Sequence, residues 1–508
     1  MNAASFFVDR HVAEGRGTRG AHRAPGAALT WTDVAASANR FGNMLQASGV
    51  EMEHRVLLVL DDTQAFVAAF WGTVKIGAIA VPVNPLMTAD EYEFLLNDSR
   101  ARVAVVEEAV VPRIEAVRAR CPFLRGVVVA GRASGDARAL DGLMERASPT
   151  LAAAPTHGDD VMYWGYTSGS TGRPKAAVHT HAHFHAAAEL VGLGVFGLRA
   201  DDLVFSASKM YFAFGLGNTL YFPAAPGAAS LLIPGRVAPE DAFAIITRER
   251  PTLFFTVPTL YARMLAVPDA ARGYDLSSLR LCVSSGEALP PALFDAWRER
   301  FGLTLHDVIG STEALHDFIA TRPGRARRGT VGELVPGFEA RIVDDDGNDV
   351  TPGAVGHLLI KGPTTAPYYW HRPDRTRSTM AGEWLRTGDM MSRDADGYFS
   401  FAGRGDDMLR VSGQWVSPAE VEGRLVTHPA VLEAAVAATA GGAGATEPRA
   451  WVVLRNGAAG TPALERELGE WLRAGLAHYK VPRHVDFVAE LPRTATGKIQ
   501  RFRLRAGT

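Results

Sequence analysis

Short apolar runs, RVLLVL from Arg55, ARVAVVEEAV from Ala101 and LRGVVVAG from Leu124, alternate with longer stretches such as TQAFVAAFWGTVKIG from Thr63. Continuous apolar runs bounded by polar turns predict buried strands, and the longer stretches read as helices, so this part of the chain is in α/β order. The alternation returns after residue 200. It breaks at GYFSFAGRGDDMLRVSGQWVSPAEVE, a glycine-rich charged stretch that precedes about a hundred residues with their own pattern. There ALERELGEWLRAGLAHY sets Leu464, Leu468, Leu472 and Leu476 on one helical face, flanked by the strand-like RAWVVLRN and HVDFVAEL. The prediction is an α/β chain with a large domain over 1–405 and a small α+β domain over 406–508, divided close to Arg404–Asp407.

Composition narrows the function classes. The 508 residues are 47% hydrophobic and 21% charged, which fits a globular protein of more than one core. A formal charge of −2 gives no overall field for nucleic acid or an anionic membrane, so any phosphate binding has to be local. Cys121 and Cys282 are too few for a disulfide framework or a thiolate metal site and suit a reducing compartment. The N-terminus has no apolar signal core and no apolar run reaches the roughly 18 residues of a spanning helix, so a cytoplasmic location is expected. Neither a fixed-period repeat nor a low-complexity tract is visible. Of the 53 basic residues only six are lysine, at 75, 175, 209, 361, 480 and 498, so each lysine carries some information by being there.

The sharpest local chemistry is YWGYTSGSTGRPKAAVHTH, in which an aromatic approach leads into Thr167, Ser168, Gly169, Ser170, Thr171, Gly172, Arg173, Pro174 and Lys175. Glycines let backbone N–H groups turn around an anion, hydroxyls add donors, and the lysine brings a point charge to a terminal phosphate. The spacing is not the GxxxxGK[ST] of an ordinary phosphate loop. A flexible surface linker would have a similar composition.

The loop, followed in order by GSTE at 310–313, LRTGD at 385–389, GRGDDMLRVSGQWVSPAEVE at 403–422 and PRTATGKIQR at 492–501, resembles the adenylate-forming superfamily of acyl-CoA synthetases, luciferases and peptide-synthetase adenylation domains. Within it MYFAFGLGNTLYFP at 210–223, SSGEALP at 284–290 and GSTEALHDFIAT at 310–321 are most similar to benzoate–CoA ligases. The resemblance implies a large domain of several sheets with flanking helices and a small mobile C-terminal lid. It implies an AMP-forming ligase using ATP, Mg2+ and coenzyme A on an aryl carboxylic acid.

By the same resemblance the loop 167–175, with Thr167, Ser168, Gly169, Ser170, Thr171, Gly172 and Lys175, would hold the β- and γ-phosphates, and Thr167 with Glu313 would also hold the metal. Gly286, Glu287, Ala288, Asp307, Ile309, Gly310, Ser311, Thr312 and Phe401 would surround the nucleotide. Ile309 stands where many relatives place an aromatic ring for adenine to stack on. Asp389 would take the ribose hydroxyls and Arg404 would lie near ribose and phosphate. Lys498 would reach the attacked α-phosphate, Asp406 would be the hinge, and Gly413, on a strand matching 408–416, would let pantetheine pass. Read alone, Glu313 would be a solvated carboxylate, Asp389 a turn residue, Lys498 a solvated lysine and 408–416 an edge strand with a bulge.

Ala213, Phe214, Ser285, Gly286, Gly310, His316 and Asp317 would line the acid pocket, with Tyr211 and Phe212 beside it. An aromatic cluster is otherwise ordinary core and a lone histidine a structural one. Benzoate ligases usually carry an aliphatic residue at Asp317 and alanine at Ser285. The added polarity favours an acid with an amino or hydroxyl group, anthranilate above others. Alternatively Asp317 bonds backbone or an arginine and never meets the acid. Two other functions remain open, a stand-alone adenylation enzyme that loads a carrier protein in trans and a nucleotide-binding regulatory module. The sequence leaves the oligomeric state open, a homodimer included.

Overall fold

The computed structural model describes all residues except 134, 136, 168–172, 412–413, 441–445, 456–458, 493–498, 500 and 507–508. Two large sheets dominate it. The first has seven strands in the order 138–139, 126–130, 103–107, 55–59, 79–82, 161–167 and 175–180, parallel except for the last. The second has nine, in the order 333–334, 317–320, 305–310, 281–284, 253–256, 203–206, 229–231, 20–24 and 27–30, with a parallel centre and antiparallel edges. Apolar residues of both sheets, Val56 and Leu58 in one and Phe255 and Val283 in the other, join a single core with the helices Trp31–Ala47 and Gln64–Lys75. The strands at 55, 103 and 126 are buried along nearly their whole length, which is why they read as continuous apolar runs.

A third, antiparallel sheet is built on Trp384–Arg393, with Gly356–Lys361 on one side and Phe399–Arg404 on the other. Beyond it come a hairpin of 409–411 with 414–416, the helix Pro418–Leu425, and a three-stranded sheet of 431–440, 446–454 and 484–487. The helix Pro462–Arg473 covers that sheet with Leu468 and Leu472 buried and Leu464 and Leu476 packed at the edge. The single strand expected over 408–416 is therefore two short strands, because the chain reverses and Leu409 pairs with Val416.

Four of the six lysines are structural. Lys75 pairs with Asp9, Lys209 with Asp61, Lys361 with Glu383 and Lys480 with Glu420. No helix among the described residues is long and apolar enough to cross a membrane.

Candidate active site

The strands Val161–Thr167 and Lys175–Thr180 are paired up to Thr167 opposite Lys175, so the intervening loop is closed at its base by the two residues that frame the phosphate motif. Ser168 to Gly172 lie outside the described residues, as do Gly413 and Lys498. Lys175 Nζ lies 3.6 Å from Glu313 Oε1. Burial pulls the Lys175 ammonium below its ordinary range and Glu313 opposes the shift. Beside both charges stands a residue the sequence reading missed. The Tyr369 hydroxyl accepts from Lys175 Nζ at 2.6 Å and donates to Glu313 Oε1 at 2.6 Å. Its only sequence signal is the aromatic run YYWH at 368–371 in an otherwise polar segment.

Asp389 and Arg404 face each other across adjacent antiparallel strands, and Arg404 Nη1 donates to Asp389 Oδ1 at 2.7 Å. Burial raises the Asp389 carboxyl and the guanidinium draws it part of the way back. Gly388 sits at φ 78°, a conformation that favours glycine, and a Cβ there would come 2.7 Å from Arg404 Nη2. Phe401 lies half-buried on the Arg404 strand and packs against the main core. Asp406 is exposed in the turn that follows, at the end of an element.

The segment Leu305–Asp317 carries both ends of the site. Asp307 is buried, with Oδ1 lacking a hydrogen-bond partner, and it lines a cavity of about 10 Å³, room for one water. Burial pushes its carboxyl well above the usual carboxylate range. Ile309 and Gly310 follow half-buried, and Ser311 Oγ caps the short helix Thr312–Ala314 by accepting from Ala314 N. The Thr312 carbonyl accepts from His179 Nε2 at 2.7 Å. Burial holds His179 down at about 3, so at neutral pH the ring is an uncharged donor to that carbonyl. This contact was also missed by the sequence reading.

Leu315 then adopts φ 65° and ψ −42°, with His316 N donating to Ala314 O at 2.8 Å. That is a γ-turn centred on a non-glycine residue, a conformation that costs about 1–3 kcal/mol and persists only where its surroundings fix it. It turns the chain back so that Asp317 pairs with Gly310. A Cβ on Gly310 would lie 2.5 Å from the His316 carbonyl oxygen and 2.8 Å from Asp317 Oδ1.

His316 is buried against Phe222 and Phe214, with ring centroids 4.4 and 5.5 Å away, and its Nε2 faces the Phe214 carbonyl at 3.2 Å. Its Nδ1 is 2.9 Å from Asp317 Oδ2, although the angle between them does not make a hydrogen bond. Among the described residues, Asp317 Oδ2 has no hydrogen-bond partner. Gly217 is a second close approach: a Cβ there would lie 2.4 Å from His316 Cδ2.

Other expected residues make local contacts within the fold. Ser285 Oγ donates to the Val308 carbonyl at 3.1 Å, so its proton is spent inside the sheet. Glu287 accepts from Thr259 Oγ1 and N at the start of the helix Pro258–Leu265, which leaves Gly286 and Ala288 as the exposed backbone of that loop. Ala213 and Phe214 begin the helix Ala213–Leu216, while Phe212 is 40% exposed beside Tyr211.

No group of three or more His, Cys, Asp or Glu that could hold a metal ion occurs among the described residues. Glu313 is one carboxylate beside a lysine, which suits a hard cation that brings most of its oxygen ligands with it on a phosphate chain.

A paired lysine and carboxylate beside an aspartate–arginine pair, on a large α/β body with a small α+β unit, suit an enzyme that handles a nucleotide. The chain belongs to the AMP-binding enzyme family. The family model matches residues 9–370, and that of the AMP-binding enzyme C-terminal domain matches 420–498. The chain is 43% identical to a benzoate–CoA ligase of Thauera aromatica, covering 99% of this chain and 96% of the relative. It is 42% identical to a 4-hydroxybenzoate–CoA/benzoate–CoA ligase of Rhodopseudomonas palustris, over 100% and 94% respectively. Among solved structures, the anthranilate CoA ligase AuaEII in complex with anthranoyl-AMP superposes with a TM-score of 0.95 at 42% identity, covering 100% of this chain and 97% of that one.

Proposed function

We propose that this chain ligates an amino- or hydroxy-substituted benzoate to coenzyme A, with anthranilate the leading single acid. AMP-forming ligation of an aryl acid, with ATP and coenzyme A as co-substrates, rests on family membership and on full-length likeness to aryl-CoA ligases. The carrier-protein alternative gains nothing from these relatives.

In this reading a carboxylate oxygen attacks the α-phosphorus, pyrophosphate leaves, and the coenzyme A thiol then displaces AMP from the acyl-adenylate. Two anions must meet in the first step, so the protein's part is positioning and cationic stabilisation. Lys175, with Thr167 and the loop 168–172, takes the terminal phosphates. Glu313 and Thr167 would hold Mg2+, which would neutralise phosphate charge. Asp389 takes the ribose hydroxyls, Arg404 lies by ribose and phosphate, and Lys498 reaches the α-phosphate. The large domain over 1–405 keeps all of these groups but Lys498, and the small one over 406–508 turns about Asp406 to exchange Lys498 for the path past Gly413.

The observation that carries the choice of acid is Asp317, 2% exposed, with one carboxylate oxygen against the Gly310 backbone. A carboxylate there accepts hydrogen bonds and would be matched by a ring N–H or O–H. Ser285, its proton committed to Val308, contributes lone pairs only. A structure with anthranoyl-AMP at 42% identity supports the same direction. The test is a panel of benzoate, aminobenzoates and hydroxybenzoates assayed for thioester formation and AMP release, with wild type and Asp317→Ile. The substitution should raise benzoate relative to the substituted acid by about 10- to 100-fold, the worth of one buried polar contact. A wild-type preference for plain benzoate, or an unchanged ranking in the variant, defeats the assignment.

A further inference from the structure

Tyr369 touches both charged groups of the phosphate end and is fixed from two sides. Its ring is buried, and Lys175 Nζ sits 3.9 Å from the ring centroid. On one flank its segment joins the strand Lys175–Thr180: Trp370 N donates to Ala176 O at 3.0 Å and Val178 N to Tyr368 O at 3.3 Å. On the other it is tied to the segment carrying Glu313, through Ala366 N to Glu313 O at 2.7 Å and Thr364 Oγ1 to Ala314 O at 2.7 Å. Tyr369 N also donates to Thr376 Oγ1 at 3.0 Å. The hydroxyl therefore stands where these bonds put it, to one side of the 3.6 Å line from Lys175 to Glu313 and hydrogen-bonded to both.

Without it an ammonium and a carboxylate 3.6 Å apart in a mostly buried site would close to direct contact of about 2.8 Å. Coulomb energy scales as the inverse of distance, so in a partly dry site the shorter pair is appreciably harder to open. ATP with its cation needs the lysine and the carboxylate apart, one on phosphate and one on metal.

We infer that Tyr369 is a positioning residue for ATP, a fixed spacer that keeps Lys175 and Glu313 from collapsing into a direct ion pair before the nucleotide arrives. The inference rests on the roles given above to Lys175 and Glu313. A nucleotide that stops at the α-phosphate makes no demand on that pair, so AMP should be indifferent to the spacer.

The test is equilibrium binding by titration calorimetry of ATP with Mg2+ and of AMP, to wild type, Tyr369→Phe, Glu313→Gln and the double variant. Phenylalanine keeps the buried ring and its contact with Lys175, so thermal midpoints should agree. Tyr369→Phe should weaken ATP binding about tenfold, equivalent to about 1.4 kcal/mol, and leave AMP binding within about twofold. In the Glu313→Gln background the same change should have no further effect on ATP, because no ion pair is left to close. ATP affinity unchanged or strengthened by Tyr369→Phe, an equal loss for AMP, or a loss that persists beside Glu313→Gln would overturn the spacer. If wild type fails to bind ATP at all, the roles of Lys175 and Glu313 fall instead.

Discussion

At the proposed nucleotide end each cation is set against an anion, Lys175 near Glu313 and Arg404 on Asp389, while at the proposed acyl end a carboxylate, Asp317, is closed in beside a histidine behind Gly310. The first arrangement is provisional in its chemistry. Its charges satisfy one another and can be handed to phosphates, a cation and a ribose with little desolvation left to overcome. The second is committed, since a carboxylate that is 2% exposed has few ways to be satisfied except by a partner brought to it. One stretch of chain, Ile309 to Asp317, serves both, and the γ-turn at Leu315 divides them. The comparison suggests that activation chemistry and choice of acid can be disturbed separately.

The strongest way to break the nucleotide end alone is Lys498→Ala. It should lower adenylation by about 10²–10³, the usual loss on deleting one group that stabilises transition-state charge, while spending little of the rate from supplied acyl-adenylate. The ranking of acids should stay as in wild type. Equal losses in both half-reactions, measured by pyrophosphate exchange and by thioester formation, would mean that the small domain uses one face for both steps.

Gly310→Ala should strike where the two ends meet. The new Cβ would lie 2.5 Å from a backbone oxygen, which cannot move aside as a flexible side chain could. We expect about 10²-fold loss of ligation through displaced reacting groups, about 1–3 kcal/mol of stability, and a changed ranking of acids. Retained activity with an unchanged ranking would show that the pairing of Gly310 with Asp317 does not shape the acid site.

The smallest effect concerns a residue outside both ends. Asp62 is buried, accepts from Met210 N at 2.9 Å just before the aromatic run, and lies 3.8 Å from Lys209. Burial raises its carboxyl to about 7, with Lys209 and the Met210 amide opposing. A carboxyl raised in the folded state contributes stability that is complete below about pH 4 and is lost as pH rises through about 7. Asp62→Asn should flatten the fall of the melting midpoint across that window by a few degrees. An unchanged slope would mean that Lys209 keeps Asp62 charged throughout.

The strands and helices of the large body were readable because their burial is one-sided or complete, and burial writes itself into periodicity. Lysine scarcity was a poorer guide, since Lys75, Lys209, Lys361 and Lys480 are ordinary ion pairs. Tyr369 and His179 were not found, because what they do depends on contacts with residues 56 and 133 positions away.

By itself the sequence determined the α/β order, the change of pattern near residue 405 and the candidate groups for meeting phosphate, because periodicity and short motifs are local properties of the chain. Only the tertiary structure decided that Asp317 would face His316 rather than an arginine, that Ser285 would spend its proton on Val308, and that the Tyr369 hydroxyl would bond both Lys175 and Glu313. Those outcomes turn on the pairing of distant strands and on a strained turn at Leu315. A hydrogen bond needs its partners within about 3 Å, and along the chain nothing records which distant atoms will come that close.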